Sequence, residues 1–182
     1  MIVQTPLMTA EELERLPSDE WRYELIEGVL HKMAAASYYH AKLANRFAHR
    51  LTTYVEAHQL GEVSGESGWV IATTPDTVRI PDAAFLVQQR VATGQEVTGF
   101  QRGAPDLVLE VISPNDSYSE VAMKVDEWLG AGTRMVVVID PRKRRIRVHR
   151  PNTVPLLLTE ADTLDGGDVV PGWQLPVREI FA

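Results

Sequence analysis

Apolar and polar positions recur along this chain with two different periods, and the switches between them mark its elements. Leu43, Phe47, Leu51 and Val55 return every four residues in a segment opened by Ser37 and closed before Gly61. That spacing predicts a long amphipathic helix ending near His58. Upstream, Thr9 with Glu12 fits a reciprocal cap and predicts a short helix over Ala10–Leu16. Trp21–Ile26 and Val29–Met33 flank Glu27-Gly28 as a tight hairpin. After the long helix, short runs at Glu62–Ser64, Trp69–Thr73, Thr77–Ile80 and Ala83–Val87 predict strands, with a turn at Pro75-Asp76. Arg90–Gly103 is polar and glycine-containing and predicts a loop.

The next unit is the most sharply patterned. Leu107–Ile112 and Met135–Ile139 are almost continuously apolar, as strands covered on both faces must be. Between them Ser119–Leu129 has helical spacing and Gly132 supplies a stop, so the two strands are expected to be parallel with a right-handed crossover. Asp140-Pro141 turns the chain into an antiparallel strand over Arg145–Arg150, followed by Leu156–Leu158, a Gly166-Gly167 turn and a terminal segment around Val177–Phe181. The expected fold is α+β: a mixed central sheet with an antiparallel meander, one right-handed βαβ crossover and flanking helices. With 182 residues the chain is long enough for one well-packed domain, 1–182, carrying an N-terminal helix and hairpin extension to about residue 35.

Acidic residues interrupt two of the apolar strands. On Leu107–Ile112, alternation sends Asp106, Val108, Glu110 and Ile112 to one face and Leu107, Leu109 and Val111 to the other. Glu110 thus sits near a strand's C-terminal end, and Asp82 opens the run Ala83–Val87. Carboxylates are almost never buried without a partner. If the two strands are neighbours, Asp82 and Glu110 converge, and a cation between them would relieve their repulsion. Magnesium suits such a pair, because it takes one or two carboxylates and keeps several waters. On the following helix Val121, Lys124, Val125, Trp128 and Leu129 share a stripe, so Lys124 is expected to face the sheet that carries Glu110. The alternatives are that Pro81-Asp82 and Pro105-Asp106 mark turns and that Lys124 snorkels to solvent.

Composition narrows the function classes. The chain is 45% apolar and 24% charged, without a run approaching the ~20 apolar residues that span a bilayer. The first residues lack the basic start and apolar stretch of a secretory signal, so a cytoplasmic protein is expected. The absence of cysteine excludes disulfides, thiol nucleophiles and cysteine-ligated zinc. A net charge of -7 argues against a protein that coats nucleic acid. The positive charge is nevertheless concentrated, with Arg142, Lys143, Arg144, Arg145, Arg147 and Arg150 in one segment. Arg145, Arg147 and His149 share one side of their strand and are candidates to track a phosphate backbone; the alternative is a solvated edge strand whose charges discourage pairing. No Ser-His-Asp arrangement, phosphate-binding glycine loop or His-Glu-x-x-His motif is present.

With these residues in place, the chain resembles the Uma2 family, grouped with restriction endonucleases in the PD-(D/E)xK nuclease superfamily. The likeness covers most of the chain: YELIEG at Tyr23–Gly28, His40, IPD at Ile80–Asp82, GAPDLVLEVISP at Gly103–Pro114, Lys124 with Trp128, GAG at Gly130–Gly132, and VIDP at Val138–Pro141. The resemblance implies magnesium or manganese bound by Asp82, Glu110 and the Val111 carbonyl. It implies Lys124 as the assisting cation, since Ile112 occupies the position where the superfamily usually has its strand lysine. Glu24 matches a family glutamate bordering the site and joins Asp82, Glu110 and Lys124 as a catalytic candidate; His40 matches as well and is a substrate-side candidate, as Arg145 and Arg147 are on their charge alone. Two features depart from the family's pattern: the segment Met135-Val136-Val137, where a Glu-Tyr-Trp-like segment is common, and Glu120, where aspartate is common.

The expected activity is metal-dependent hydrolysis of DNA phosphodiester bonds by a homodimer without an organic cofactor. Two alternatives stand beside it: a catalytically silent interaction module that keeps the nuclease fold, and a DNA-binding protein without catalysis.

Overall fold

The computed structural model describes residues 6–17, 21–91 and 98–182. Helix α1 (Ala10–Glu14) begins at the Thr9/Glu12 capping box. Strands β1 (Arg22–Ile26) and β2 (Val29–Met33) form the expected hairpin, in register from Arg22 opposite Met33 to Ile26 opposite Val29. Its two-residue turn puts both Glu27 and Gly28 at positive φ, 48° and 76°, the twist that two-residue hairpins favour. Helix α2 (Tyr38–His58) is capped by the Ser37 hydroxyl and ends where Gln59 turns left-handed. Leu43, Phe47, Leu51 and Val55 are all fully buried, so the four-residue spacing marks the helix's inner face.

Strands β3 (Gly61–Gly65), β4 (Trp69–Ala72), β5 (Thr77–Arg79) and β6 (Ala83–Val87) follow. Gly61 is needed where it stands, because a Cβ there would meet the Leu86 carbonyl at 2.0 Å. The segment expected to be a loop, Arg90–Gly103, starts on the last residue of a short 3-10 turn (Gln88–Arg90) and contains a two-residue strand, β7 (Gln101–Arg102); its positions 92–97 lie outside the described residues. Next come β8 (Leu107–Val111), α3 (Tyr118–Gly130), β9 (Met135–Asp140), β10 (Arg145–His149) and β11 (Leu156–Leu158). The chain closes with β12 (Thr163–Asp165), β13 (Gln174–Pro176) and α4 (Arg178–Phe181).

These strands divide between two main sheets. Six strands lie in the order β11-β10-β9-β8-β6-β3, five in the order β2-β1-β5-β4-β7, and β12 pairs with β13. The β8–α3–β9 unit makes β8 and β9 parallel neighbours at the centre of the six-stranded sheet, as the pattern predicted. A short parallel pairing of β4 with β7 joins it in the smaller sheet. The basic strand β10 is not an edge strand: β11 covers its outer side.

Alternation on β8 decides what covers each face. Leu107, Leu109 and Val111 pack with α2 and with Trp173, Ile180 and Phe181 of the C-terminal segment. Val108 and Ile112 pack under Val125 and Trp128 of α3. The two layers hold the ends of β6 and β8 firmly, and with them the residues of the site. Among the described residues no helix is long and apolar enough to cross a membrane.

Phe47 is fully buried and meets Trp173 edge-on at 5.4 Å, which fixes α2 against the C-terminal segment. Phe47→Ala should therefore cost about 3–5 kcal/mol. Urea denaturation is expected to show a lower midpoint with an unchanged slope.

Candidate active site

Strand register brings the two predicted carboxylates together. Strand β6 runs antiparallel to β8 with Ala83 opposite Leu109. Continuing that register by one residue sets Asp82 opposite Glu110, where side chains point to the same face. The Asp82 N–H donates to the Leu109 carbonyl at 3.0 Å, and Asp82 Oδ2 accepts the Val111 N–H at 2.6 Å. The carboxylate is thereby locked across the strand end rather than left in a turn.

Glu110 is buried, 8% exposed, on the α3 face of the sheet. Its Oε1 accepts the indole N–H of Trp128 at 2.8 Å, and its Oε2 lies 4.0 Å from Lys124 Nζ. Burial pushes its carboxyl up to about 7; Lys124 and the Trp128 hydrogen bond oppose this, while the charges of Asp82 and Glu24 add to it. Lys124 descends from α3 as the helical stripe predicted. Desolvation would lower its pKa, but Glu110 and Glu24 hold it above the usual lysine range.

Glu24 on β1 completes this side. Its Oε2 accepts Arg79 Nη1 at 2.6 Å, and its Oε1 accepts the Ile80 N–H at 3.1 Å and Lys124 Nζ at 3.5 Å. Arg79 is also buried and pairs with Glu127 on α3 at 2.6 Å. Glu24, Arg79, Glu127, Lys124 and Glu110 thus form one connected network spanning both sheets and α3.

His40 enters from the first turn of α2. Its Nε2 stands 3.3 Å from Asp82 Oδ2. Burial works against its protonation, but hydrogen bonding and charge from Asp82, with the Val111 backbone and Asp116, raise its pKa overall. Its Nδ1 is buried with no hydrogen-bond partner among the described residues.

Glu24, His40, Asp82, Glu110, Val111 and Lys124 line one cleft of about 80 Å³. Sequence reading missed three of its walls or supports: Arg22 and Asp116 at the cleft, and Arg79 behind it. Arg79 carried a legible signal, a charge between Val78 and Ile80 in a short apolar strand, the same kind of interruption that marked Glu110. Asp116 carried none, since it sits in a polar loop. Arg145 and Arg147 are not brought to this cleft; they line a separate groove on the other flank of α3.

The donor set suits a hard cation. Among the described residues no three His, Cys, Asp or Glu side chains form a ready chelate. Two adjacent carboxylates beside a strand-end backbone make an oxygen-only set, which matches an ion that retains its waters rather than zinc.

Comparison with known proteins bears on the family and the fold. A family model for Uma2, described as "Putative restriction endonuclease", matches residues 10–178. A solved structure from Anabaena variabilis ATCC 29413, described as a "putative nuclease belonging to DUF820", superposes with a TM-score of 0.84 at 21% identity. The match covers 96% of this chain and 97% of that one. No curated protein matches the chain. It has the restriction endonuclease-like fold and belongs to the Uma2 family.

Proposed function

We propose that the protein is a metal-dependent endodeoxyribonuclease whose centre is Asp82, Glu110 and Lys124. The observation that carries this reading is the placement of two carboxylates side by side at the ends of β6 and β8, with a lysine ammonium at 4.0 Å from the buried one. Asp82, Glu110 and the Val111 carbonyl would hold magnesium or manganese. Such an ion would lower the pKa of a bound water and neutralise charge on the phosphate.

The chain's own residues account for the rest of the chemistry. The Val111 N–H and His40 orient the Asp82 carboxylate, and Trp128 fixes the rotamer of Glu110 through its indole N–H. Lys124 stays protonated between Glu24 and Glu110, so it offers an ammonium to negative charge developing on a phosphate oxygen. Ile112 is apolar and buried against α3, so the cation arrives from the helix instead of from the strand. Glu24, held by Arg79 and the Ile80 N–H, sets the position of Lys124. A homodimer would deliver two such centres to the two strands of a duplex.

The competing reading, a silent interaction module, draws on the net charge of -7 and the missing strand lysine. Two measurements separate them. Supercoiled plasmid should be nicked with magnesium or manganese and spared in chelator. Asp82→Ala, Glu110→Ala and Lys124→Ala should each lower the rate by about a hundredfold or more; equal cleavage by all three would mean a contaminating nuclease. Independently of activity, manganese at 100 times its dissociation constant should stabilise the wild-type protein by about 2.7 kcal/mol. Thermal unfolding of Asp82→Asn/Glu110→Gln protein should show no such gain, and a wild-type protein indifferent to both ions would support the silent module.

A further inference from the structure

The six basic residues of the β9–β10 segment do not all serve the fold. Arg144 pairs with Glu160, and Arg150 pairs with Asp168. The Arg142 guanidinium donates to the carbonyls of Ser113, Pro114 and Asp116, which ties this segment to the loop that borders the carboxylate cleft. Lys143, Arg145 and Arg147 make no ion pair among the described residues. All three are exposed, and all three line a groove of about 190 Å³ between α3 and strands β9 to β11.

The groove is more than a charged rim. Apolar side chains of the sheet and of α3 floor it, and Tyr118 closes one end beneath Lys143 Nζ, 4.6 Å from the ring centroid. Asp140 also lines it, but its carboxylate is occupied: Oδ2 accepts the Tyr118 hydroxyl at 2.9 Å, and Oδ1 accepts the N–H groups of Arg142 and Lys143 at 3.0 and 3.2 Å. His149 carries little charge there, since burial and the Arg147 charge lower its pKa against the pull of Asp126. The free charge of the groove is therefore positive, on a protein that is negative overall.

Spacing and continuity indicate the anion. Arg145 and Arg147 lie two residues apart on one face of β10, about 6.6–6.8 Å along the strand, which is close to the separation of successive phosphates on an extended nucleic-acid strand. Ile112 and Val121 also line a small cavity whose other walls include Glu110, Asp116 and Lys124. The groove and the carboxylate cleft are thus adjoining stations along the N-terminal half of α3. We propose that the groove is a second nucleic-acid subsite, in which Lys143, Arg145 and Arg147 hold phosphates of the DNA remote from the scissile bond while a sugar or base rests on the apolar floor beside Tyr118. The identity of the strand as substrate rests on the nuclease reading; the phosphate chemistry of the groove does not.

Fluorescence anisotropy with labelled single-stranded and duplex oligonucleotides, in chelator, tests this without any catalysis. Lys143→Ala/Arg145→Ala/Arg147→Ala should weaken binding at least tenfold and reduce the slope of log affinity against log salt by about 2–3. Arg145→Lys/Arg147→Lys should retain most of the affinity, and an unchanged melting temperature should show that the exposed substitutions leave the fold intact. Three outcomes overturn the subsite: no binding by wild-type protein at low salt, equal binding and slope in the triple variant, or polyglutamate bound as tightly as DNA and lost in the triple variant, which would assign the groove to an acidic peptide. Protein that binds through the groove yet never nicks plasmid sinks the nuclease reading alone. Protein that nicks but ignores the triple substitution sinks the subsite alone.

Discussion

Burial of Glu110 beside Asp82 is the constraint around which the rest of the molecule is arranged. A carboxylate taken out of water next to a second carboxylate is unfavourable on both counts, and its pKa near 7 records that conflict. Trp128 and Lys124 are placed to answer it, one by a hydrogen bond and one by charge. Both come from α3, so the crossover helix that closes the parallel β8–β9 pair also furnishes the partners of the residue it covers. Packing and chemistry share the same side chains.

A second tier of charges stabilises the first. Lys124 would lose orientation without Glu24, and Glu24 would be an isolated buried anion without Arg79 and the Ile80 N–H. Removing one member of such a network leaves an uncompensated charge, an effect of about 3–5 kcal/mol in buried pairs. The network explains why the N-terminal hairpin is joined to the smaller sheet through β5: that pairing carries Glu24 to Arg79 and to α3. What looks like an extension on a single-sheet view is part of the wall of the cleft.

The net negative charge and a nucleic-acid role are compatible because the charge is partitioned. Carboxylates crowd the cleft, where a cation would offset them, while Lys143, Arg145 and Arg147 lie on the other flank of α3. A salt-dependent interaction with phosphates requires only local positive charge. Arg142, bonded to three carbonyls of the loop at the cleft, links the two regions mechanically.

The chain's periodicities by themselves determined the helices, the hairpin, the parallel β8–β9 unit and the inward face of Lys124, because these depend on local spacing and on which residues must leave water. Glu110 was legible because it interrupts an apolar strand, and Asp82 because it stands immediately before one. Tertiary structure alone decided the division into two main sheets and the cover that β11 gives β10, since strand partners are chosen by contacts distant in sequence. It also decided the roles of Arg79, Asp116 and His40. Their meaning lies in what faces them, Glu24 and Glu127 for the first and the Asp82–Val111 strand end for the others, and no spacing along the chain encodes a neighbour brought in from another element.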